Sequence, residues 1–434
     1  MSELRDDTDT EPTLPLADSP ADGTPSVTDT DADLADIAAR IGSGTGPVAI
    51  DAERASGHRY GQRAFLLQFR RDGAGTSLVD PTGITDFAPL QQALAEAEWI
   101  LHSATQDLTC LNELGLQPDA LFDTEVAARL LGLPRVGLAA LTEQLLGVRL
   151  AKGHGSADWS RRPLPERWVT YAALDVEFLI PMRDILARQL IEMHRWTWAE
   201  QEFAALCHWK PRIRPDPWRR TSGIHAVKNP KGLAVVRQMW EARDAEAQRR
   251  DIAPGRILPD SALVAAAKRL PTSRSDLERI PEFVRQRRRL DIWWTAVRVA
   301  LAEPPIEPGM EPTRDLAPDT AQQETYPPPR AWQRSNPEAA KRLSSARQFI
   351  VTCGEELDLA PEVLIPPDCV RQLAWSPPDP TTLGTVTARL VSAGVRQWQV
   401  ELTAAGLTEA MSPNGPDGDL RESAEQPKTD AVPG

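Results

Sequence analysis

The apolar run Val48–Ile50 is followed by two acids, Asp51 and Glu53, and this ending constrains the fold more than any other feature of the sequence. If the strand continues through both acids, their side chains project from one face and the two carboxylates converge. A buried strand that ends in two carboxylates is unfavourable unless a cation neutralises them. The D-x-E spacing alone is weak, because the chain contains 62 Asp and Glu residues. The pattern would become specific if other acids of the chain lay close to this pair in the folded protein.

The region that follows residue 33 alternates between strand and helix patterns, which is typical of an α/β domain. The predicted strands are Pro47–Asp51, Ala64–Phe69, Ser77–Val79 and Trp99–Leu101. The predicted helices are Leu34–Ile41, Phe87–Ala97, 106–114, 123–131, 138–146 and 165–190. We expect Pro181 to kink or end the last helix, because proline lacks the backbone donor.

Asp107 is a second acid near the end of a predicted strand, Trp99–Leu101, and it precedes the apolar positions of a helix. A surface Asp at this place could equally complement the helix dipole. The nearby His102 is more easily explained as a structural residue, since oxygen donors suit magnesium better than imidazole does.

Tyr171 and Asp175 form the most specific pattern, because the chain has three tyrosines and only this one is followed four residues later by an acid. The i, i+4 spacing places the phenol and the carboxylate side by side on a helix. Asp175 interrupts an apolar face that includes Trp168 and Leu179, so it needs a partner inside the protein. A core Asp bonded to the backbone is the alternative explanation.

In order along the chain, these residues resemble the ribonuclease D family. The resemblance covers about 41–204 and rests on the following segments: Val48–Glu53, Leu101–Leu108, Phe122–Thr124, Asp158–Trp159, Arg162–Leu164 and Tyr171–Val176. It implies a ribonuclease H-like α/β exonuclease domain, with a mixed five-stranded sheet and flanking helices, followed by two small all-α domains. Arg54 follows the D-x-E pair where many relatives have an apolar residue.

The resemblance also implies a two-metal site that hydrolyses phosphodiester bonds from the 3′ end. Asp51, Glu53 and Asp175 would ligate the first ion, Asp51 would bridge to the second, and Asp107 would hold the second through water. Tyr171 would orient the attacking water. Two Mg²⁺ or Mn²⁺ ions suit these oxygen ligands, whereas zinc prefers His or Cys.

The remaining chain is predicted to be helical, with two divergent copies of one small domain. At one fixed offset, Ile252-Ala-Pro matches Leu359-Ala-Pro and Ile257-Leu-Pro matches Leu364-Ile-Pro. The predicted organisation is a mostly disordered acidic tail (1–40), the exonuclease domain (41–204), a basic Pro-containing linker (205–225), a helical HRDC-type domain (226–303), a Pro-rich linker (304–330), a divergent HRDC-like domain (331–408) and a disordered tail (409–434).

The net charge of -13 is concentrated in the two ends of the chain. Residues 205–300 contain 21 Lys and Arg against 10 Asp and Glu, and a phosphate backbone favours such a region. A solvated helix surface is the alternative. The basic residues predicted to contact nucleic acid are Arg54, Arg59, Lys210, Arg219, Arg220, Lys228 and Lys231.

Three functions remain open from the sequence: an exoribonuclease that trims structured RNA such as transfer-RNA precursors, a DNA exonuclease in repair, and a non-catalytic nucleic-acid-binding protein on the same fold. A contact to the 2′-hydroxyl separates the first two, and the sequence does not reveal one. Loss of a metal acid would favour the third, and all four acids are present. We expect a cytoplasmic protein without a membrane partner, because the sequence has neither a long apolar run nor a signal-peptide pattern.

Overall fold

The computed structural model describes residues 14–151, 153–211, 216–306, 326–327 and 329–412. They divide into two compact units. The first unit takes the described residues of Met1–Ala120, Gly147–Ile180 and Cys207–Leu316, and the second those of Leu121–Leu146, Pro181–Leu206 and Ala317–Gly434. Among these residues, no helix combines the length and the apolar character that a membrane span requires.

The first half of the chain contains every described strand. Its elements are β1 (Leu16–Ala17), β2 (Val27–Thr28), α1 (Asp31–Ser43), β3 (Thr45–Arg54), β4 (Ala64–Asp72), β5 (Gly75–Val79), α2 (Ala88–Leu94), β6 (Glu98–Leu101), α3 (Leu108–Glu113), β7 (Ala120–Asp123), α4 (Thr124–Leu130), α5 (Leu138–Leu146), β8 (Arg149–Leu150), α6 (Glu166–Glu177), α7 (Leu179–Glu192) and α8 (Trp196–Cys207).

The second half is helical throughout its described residues. Its elements are α9 (Pro230–Arg250), α10 (Pro254–Ile257), α11 (Asp260–Arg269), α12 (Arg274–Glu278), α13 (Leu290–Ala302), α14 (Trp332–Ser335), α15 (Pro337–Leu357), α16 (Pro361–Leu364), α17 (Pro367–Trp375), α18 (Leu383–Ser392) and α19 (Gln397–Met411). Short 3₁₀ turns occur at Pro217–Arg220, Ile224–Ala226 and Pro281–Arg289.

The main sheet is mixed and has the strand order β2-β5-β4-β3-β6-β7. Strand β3 pairs antiparallel with β4 and parallel with β6. Its residues Val48–Ile50 are fully buried, as expected for a central strand. The expected mixed sheet with flanking helices, followed by a helical region, is confirmed. The expected count of five strands is corrected to six, because the two residues of β2 add an edge strand that no local pattern signals.

The expected, mostly disordered tail over 1–40 is corrected over residues 14–33, whereas the helix expected over Leu34–Ile41 is confirmed within α1. Val27–Thr28 pairs with β5, and Thr30 caps α1 by accepting from the amide of Asp33. The buried side chains of α1 include Leu34, Ile37 and Ile41. Order in this segment comes from tertiary pairing, which composition does not report. Residues 1–13 lie outside the described part.

The long helix expected over 165–190 is two helices, α6 and α7, which meet at Phe178. Pro181 lies in the first turn of α7, where the missing backbone donor has no intrahelical partner to lose. The proline therefore marks the start of a new helix rather than a kink within one.

The two helical domains repeat at a constant offset of 107 residues, from Pro230 to Pro337. Helices α9 and α15 have equal lengths, and each ends at an aspartate in the left-handed conformation, Asp251 with φ 48° and Asp358 with φ 52°. Helices α10 and α16 follow at the same offset. This agreement in element boundaries supports duplication of one small helical domain.

The predicted linkers contain more structure than their prolines suggest. In the segment 205–225, Trp218 is 3% exposed and packs into the core of the first helical domain. Its described residues from Cys207 onward fall in the first compact unit, together with strands β2 to β6 of the main sheet. The predicted Pro-rich linker (304–330) is described only at 304–306, 326–327 and 329–330. The predicted disordered tail (409–434) is corrected at its start, because α19 continues to Met411 and buries Ala410 and Met411. Residues 413–434 lie outside the described residues.

We predict that Trp293→Ala lowers the free energy of unfolding by about 3–5 kcal/mol, because it removes a fully buried indole from the first helical core. The neighbouring Trp294→Ala is the control, since Trp294 is only partly buried against the same core. Chemical denaturation of both variants measures the difference. Equal losses would contradict the assignment of Trp293 to the centre of this core.

Candidate metal centre

Strand β3 carries the first two acids at its C-terminal end. Asp51 pairs in register with Gln68 and Glu53 with Leu66, so the strand continues through both acids and their side chains share a face. Glu53 is 6% exposed, while Asp51 retains more accessible surface. The register becomes irregular between Glu53 and Arg54, where the regular ladder ends.

Helix α6 brings Tyr171 and Asp175 against this end of β3. Asp175 is 8% exposed, and its neighbours Ala172 and Ala173 are fully buried. One carboxylate oxygen from each of Asp51, Glu53 and Asp175 lies within 4.8 Å of the other two. Acids separated by more than 120 residues of sequence therefore form one group, with the spacing that a shared cation requires.

Asp107 approaches this group from the start of α3. It is 4% exposed, and its carboxylate lies 3.3 Å from Nη2 of Arg54. Burial is the largest cause of the raised pKa values of Glu53 and Asp175, and the negative charge of Asp107 adds to both. Asp107 is not among the three acids whose oxygens lie within 4.8 Å of one another. His102 is not part of the acidic group among the described residues.

The electrostatics of the site favour protonated acids when no cation is present. Burial raises the pKa of Glu53 to about 10, and the charges of Asp51, Asp175 and Asp107 act in the same direction. Burial also raises the pKa values of Asp51 and Asp175. The folded chain thus holds these carboxyls where their ionised forms are unfavourable, and a divalent cation would remove that penalty.

Tyr171 borders the acids, and its hydroxyl hydrogen-bonds to the Asp175 carboxylate. Burial and the charges of Asp175 and Glu53 raise the pKa of the phenol, so the hydroxyl keeps its proton. The backbone at Gly153 packs against the phenol so closely that a Cβ there would lie 2.7 Å from the hydroxyl oxygen. The His154 ring meets the Tyr171 ring edge-on, with centroids 5.8 Å apart.

A cavity of about 420 Å³ lies beside Tyr171 within the first unit. Its lining comprises Asp18, Ala151, His154, Glu166, Arg167, Thr170, Tyr171 and Leu174. A group bound in this cavity would reach the phenol directly. Sequence analysis gave no role to His154 or Arg167, since neither belongs to a pattern of acids.

Three of the basic residues predicted to contact nucleic acid are held by protein groups. Arg54 pairs with Asp107, and Arg59 donates to Ser160 Oγ at 2.8 Å and pairs with Asp251 at 3.4 Å. Lys231 donates to the carbonyl of Leu301 at 2.9 Å and to that of Glu303. Lys231 therefore caps the end of α13, a role that no sequence pattern indicated.

Arg219 is a fourth such residue, because it pairs with Asp216 at 3.0 Å and stacks over the ring of Trp218. The remaining three predicted contacts, Lys210, Arg220 and Lys228, are exposed on the first unit.

The roles of one arginine and of one arginine cluster were not predicted from the sequence. Arg162, quoted only as part of the resemblance, donates to Asp80 and to the carbonyls of Phe65 and Trp159, so it fixes the segment before α6. Arg285, Arg287 and Arg288 are exposed on the 3₁₀ turn Pro281–Arg289. The run Arg287–Arg289 was a visible signal for this surface.

Comparisons with known protein families agree with the order of these parts. Residues 25–191 match the family model described as 3'-5' exonuclease. Residues 232–292 match the HRDC domain, and residues 325–411 match a model described as 3' to 5' exonuclease C-terminal domain. The second helical copy therefore matches a different model from the first.

Two solved structures share the fold over most of the chain. A crystal structure of a protein from Bifidobacterium adolescentis has a TM-score of 0.80 at 36% identity, covering 92% of this chain and 99% of that one. The crystal structure of Escherichia coli RNase D has a TM-score of 0.63 at 24% identity, covering 89% and 98%. At that identity, the second comparison shows the fold alone.

Curated relatives give the family. Ribonuclease D of Cronobacter turicensis is 32% identical over 237 residues, which are 53% of this chain and 64% of that protein, slightly under two thirds of its length. Ribonuclease D of Shewanella sp. (strain ANA-3) is 30% identical over 268 residues, which are 59% of this chain and 68% of that protein. With the acids, the tyrosine and the domain order in agreement, the chain belongs to the ribonuclease D family.

Proposed function

We propose that this chain is a divalent-metal-dependent 3′→5′ exoribonuclease that hydrolyses phosphodiester bonds at RNA 3′ ends. The observation that carries the proposal is the meeting of Asp51, Glu53 and Asp175 within 4.8 Å, beside the phenol of Tyr171. Three buried carboxylates and a protonated tyrosine match the needs of metal-assisted phosphodiester hydrolysis. The names of the ribonuclease D relatives support RNA over DNA.

The donor set fits Mg²⁺ or Mn²⁺, because all ligands are carboxylate oxygens. Asp51, Glu53 and Asp175 would hold one ion, and Asp51 with Asp107 would hold a second. When bound, the ions supply an activated water and neutralise charge on the departing 3′ oxygen. Arg54 balances Asp107 in the structure, and a second ion would replace the guanidinium as the partner of that carboxylate.

Tyr171 is suited to hold the attacking water rather than a metal ion. Its raised pKa keeps the phenol protonated, and a protonated phenol is a donor and a weak cation ligand. The close packing of Gly153 and the edge of His154 restrict the ring, so the hydroxyl direction is fixed. A fixed hydroxyl beside the acids would set the line of attack on the phosphorus.

Substrate binding would use basic residues of the first unit that remain exposed. Lys210, Arg220 and Lys228 are exposed near the start of the first helical domain, and Arg285 and Arg288 are exposed on its 3₁₀ turn. Arg287 is exposed beside them but pairs with Glu278 at 3.1 Å. These positions can contact phosphates without sequence preference, as expected for an enzyme that acts on structured RNA such as transfer-RNA precursors.

We expect Asp51→Asn, Glu53→Gln, Asp107→Asn and Asp175→Asn each to lower turnover by about 10²-fold or more. Removing a residue that only supports a metal ligand costs up to about 10²-fold in activity, so removing a ligand should cost at least as much. The assay uses RNA labelled at its 3′ end and a matched DNA, with Mg²⁺ or with EDTA. Asp72→Asn is the control, because Asp72 is exposed at the opposite end of the β3–β4 pair. A variant that keeps most of its Mg²⁺-dependent activity removes its residue from the site, and preferred cleavage of DNA would reassign the substrate.

We expect the stability of the metal-free protein to fall as pH rises from about 5 to about 10. The pKa of Glu53 is about 10 in the folded protein against its ordinary value of 4.5, so the folded state binds this proton more tightly than the unfolded state does. Mg²⁺ competes with the proton, so its stabilising effect should be larger at pH 9 than at pH 6.

Thermal unfolding at both pH values, with and without Mg²⁺, measures this effect. Glu53→Gln should flatten the pH dependence and reduce the gain from Mg²⁺. A gain from Mg²⁺ that is equal at both pH values would contradict proton displacement from these carboxyls.

We expect Tyr171→Phe to lower the single-turnover rate by about 10²-fold, the scale on which misplacing a reacting group registers, while the Mg²⁺ midpoint stays unchanged. Tyr326→Phe is the matched control, since Tyr326 belongs to the second unit. A shifted Mg²⁺ midpoint at an unchanged maximal rate would assign the phenol to metal binding instead.

A further inference from the structure

The loop between β3 and β4, residues 55–63, is bound by the corner that ends α9. Asp251 occupies this corner in the left-handed conformation. Its carboxylate accepts from the amide of Tyr60 at 3.3 Å and pairs with Nη2 of Arg63 at 3.0 Å and Nη1 of Arg59 at 3.4 Å. The carboxylate of one aspartate in the first helical domain therefore contacts three donor groups of one loop in the exonuclease domain.

Neighbouring residues of the helical domain add further bonds to the same loop. The amide of Ala253 donates to the carbonyl of His58 at 3.0 Å, and Nε of Arg256 donates to the carbonyl of Gly57 at 2.7 Å. The Tyr60 hydroxyl donates to Asp244 at 3.0 Å, and its ring packs on the core of the helical domain. The loop is thus bound through backbone, charge and apolar contact together.

The β3–β4 loop continues directly from the strand that carries Asp51 and Glu53. The register of β3 against β4 shifts between Glu53 and Arg54, and the last pair is Arg54 with Ala64, so the sheet does not fix the chain beyond Arg54. The loop turns back on itself there, with the carbonyl of Ala55 accepting from the amide of His58 at 2.8 Å and from that of Arg59 at 2.7 Å.

The same loop also reaches the segment that leads into α6. Arg59 donates from Nε to Ser160 Oγ at 2.8 Å, and Ser160 donates to Asp158 at 2.5 Å. His58 lies 3.5 Å from the other oxygen of Asp158. The loop therefore links the strand that carries Asp51 and Glu53 to the segment that precedes Tyr171 and Asp175, and Asp251 holds it from outside.

We propose that Asp251 is a positioning residue for the metal centre and that the first helical domain is a working part of the catalytic unit. The proposal rests on the proposed function. Carboxylates that repel one another need external support to stay aligned, and the corner of α9 supplies it where the β3 pairing ends. Turnover on a short oligomer, too small to reach a distant binding surface, then depends on the helical domain.

The test compares Asp251→Asn with Asp358→Asn in the full-length protein. Asparagine tolerates the left-handed conformation and keeps an acceptor for the Tyr60 amide, but it removes the charge that pairs with two arginines. Asp358 occupies the equivalent corner of the second copy, so its variant controls for the turn itself. The measurements are kcat and KM on a short RNA, hydrogen exchange of residues 55–63, and the rise in Tm caused by Mg²⁺.

We expect Asp251→Asn to lower kcat by about 10-fold, the lower end of losses from supporting residues of metal sites, with little change in KM. Exchange of residues 55–63 should quicken, and the Mg²⁺-induced rise in Tm should shrink. Asp358→Asn should change none of the three. Arg63→Gln combined with Asp251→Asn should lower kcat by less than the product of the two single effects, because both act on one contact.

Unchanged exchange in residues 55–63 would overturn the contact between the loop and Asp251. Faster exchange with unchanged kcat and an unchanged response to Mg²⁺ would overturn its positioning role. If the wild-type protein cleaves neither RNA nor DNA, the proposed function fails. The Mg²⁺ response of Asp251→Asn against Asp358→Asn then decides the positioning role separately.

Discussion

The mutual repulsion of buried carboxylates is the constraint on which the rest of the structure depends. Two unit charges about 4 Å apart cost about 4 kcal/mol at an effective dielectric near 20, and Asp51, Glu53 and Asp175 present several such pairs. Strand β3 and helix α6 hold them together because both elements are anchored by fully buried apolar residues, Val48–Ile50 on one and Ala172–Ala173 on the other. The fold supplies the rigidity, and bound cations would supply the compensating charge.

The helical domains add further contacts that hold parts of the exonuclease region in place. In each copy, the corner that ends the long helix binds a part of the exonuclease region within its own unit. Asp251 gathers the β3–β4 loop, while in the second unit the carbonyl of Leu357 accepts from Arg195, and Gly132 packs against the carbonyl of Asp358. The two helical domains thus share a docking corner as well as the same order of helices. The first copy also carries the exposed Arg285, Arg287 and Arg288.

Much of the site follows from the sequence, since the D-x-E ending of an apolar strand and the i, i+4 pair Tyr171 and Asp175 both translate directly into geometry. The partner of Asp107 does not follow in this way. Its pairing with Arg54 depends on how far apart β3 and α3 lie in space. Local composition did not predict the order of residues 14–33 or the role of Lys231, because both depend on contacts with distant strands and helix ends. Sequence patterns predicted the secondary-structure elements and the acids of the site. Tertiary contacts decide which charged residues form ion pairs or hydrogen bonds within the protein.

The central claim is that Asp51, Glu53 and Asp175 form a divalent-cation site. Crystals grown with Mn²⁺ and measured at the manganese absorption edge test it most directly. We expect an anomalous peak bonded to oxygens of all three carboxylates, at the distances of about 2.0–2.3 Å expected for oxygen ligands of small divalent ions. A peak only at other acids, or three carboxylates without manganese at a concentration that supports turnover, would contradict it.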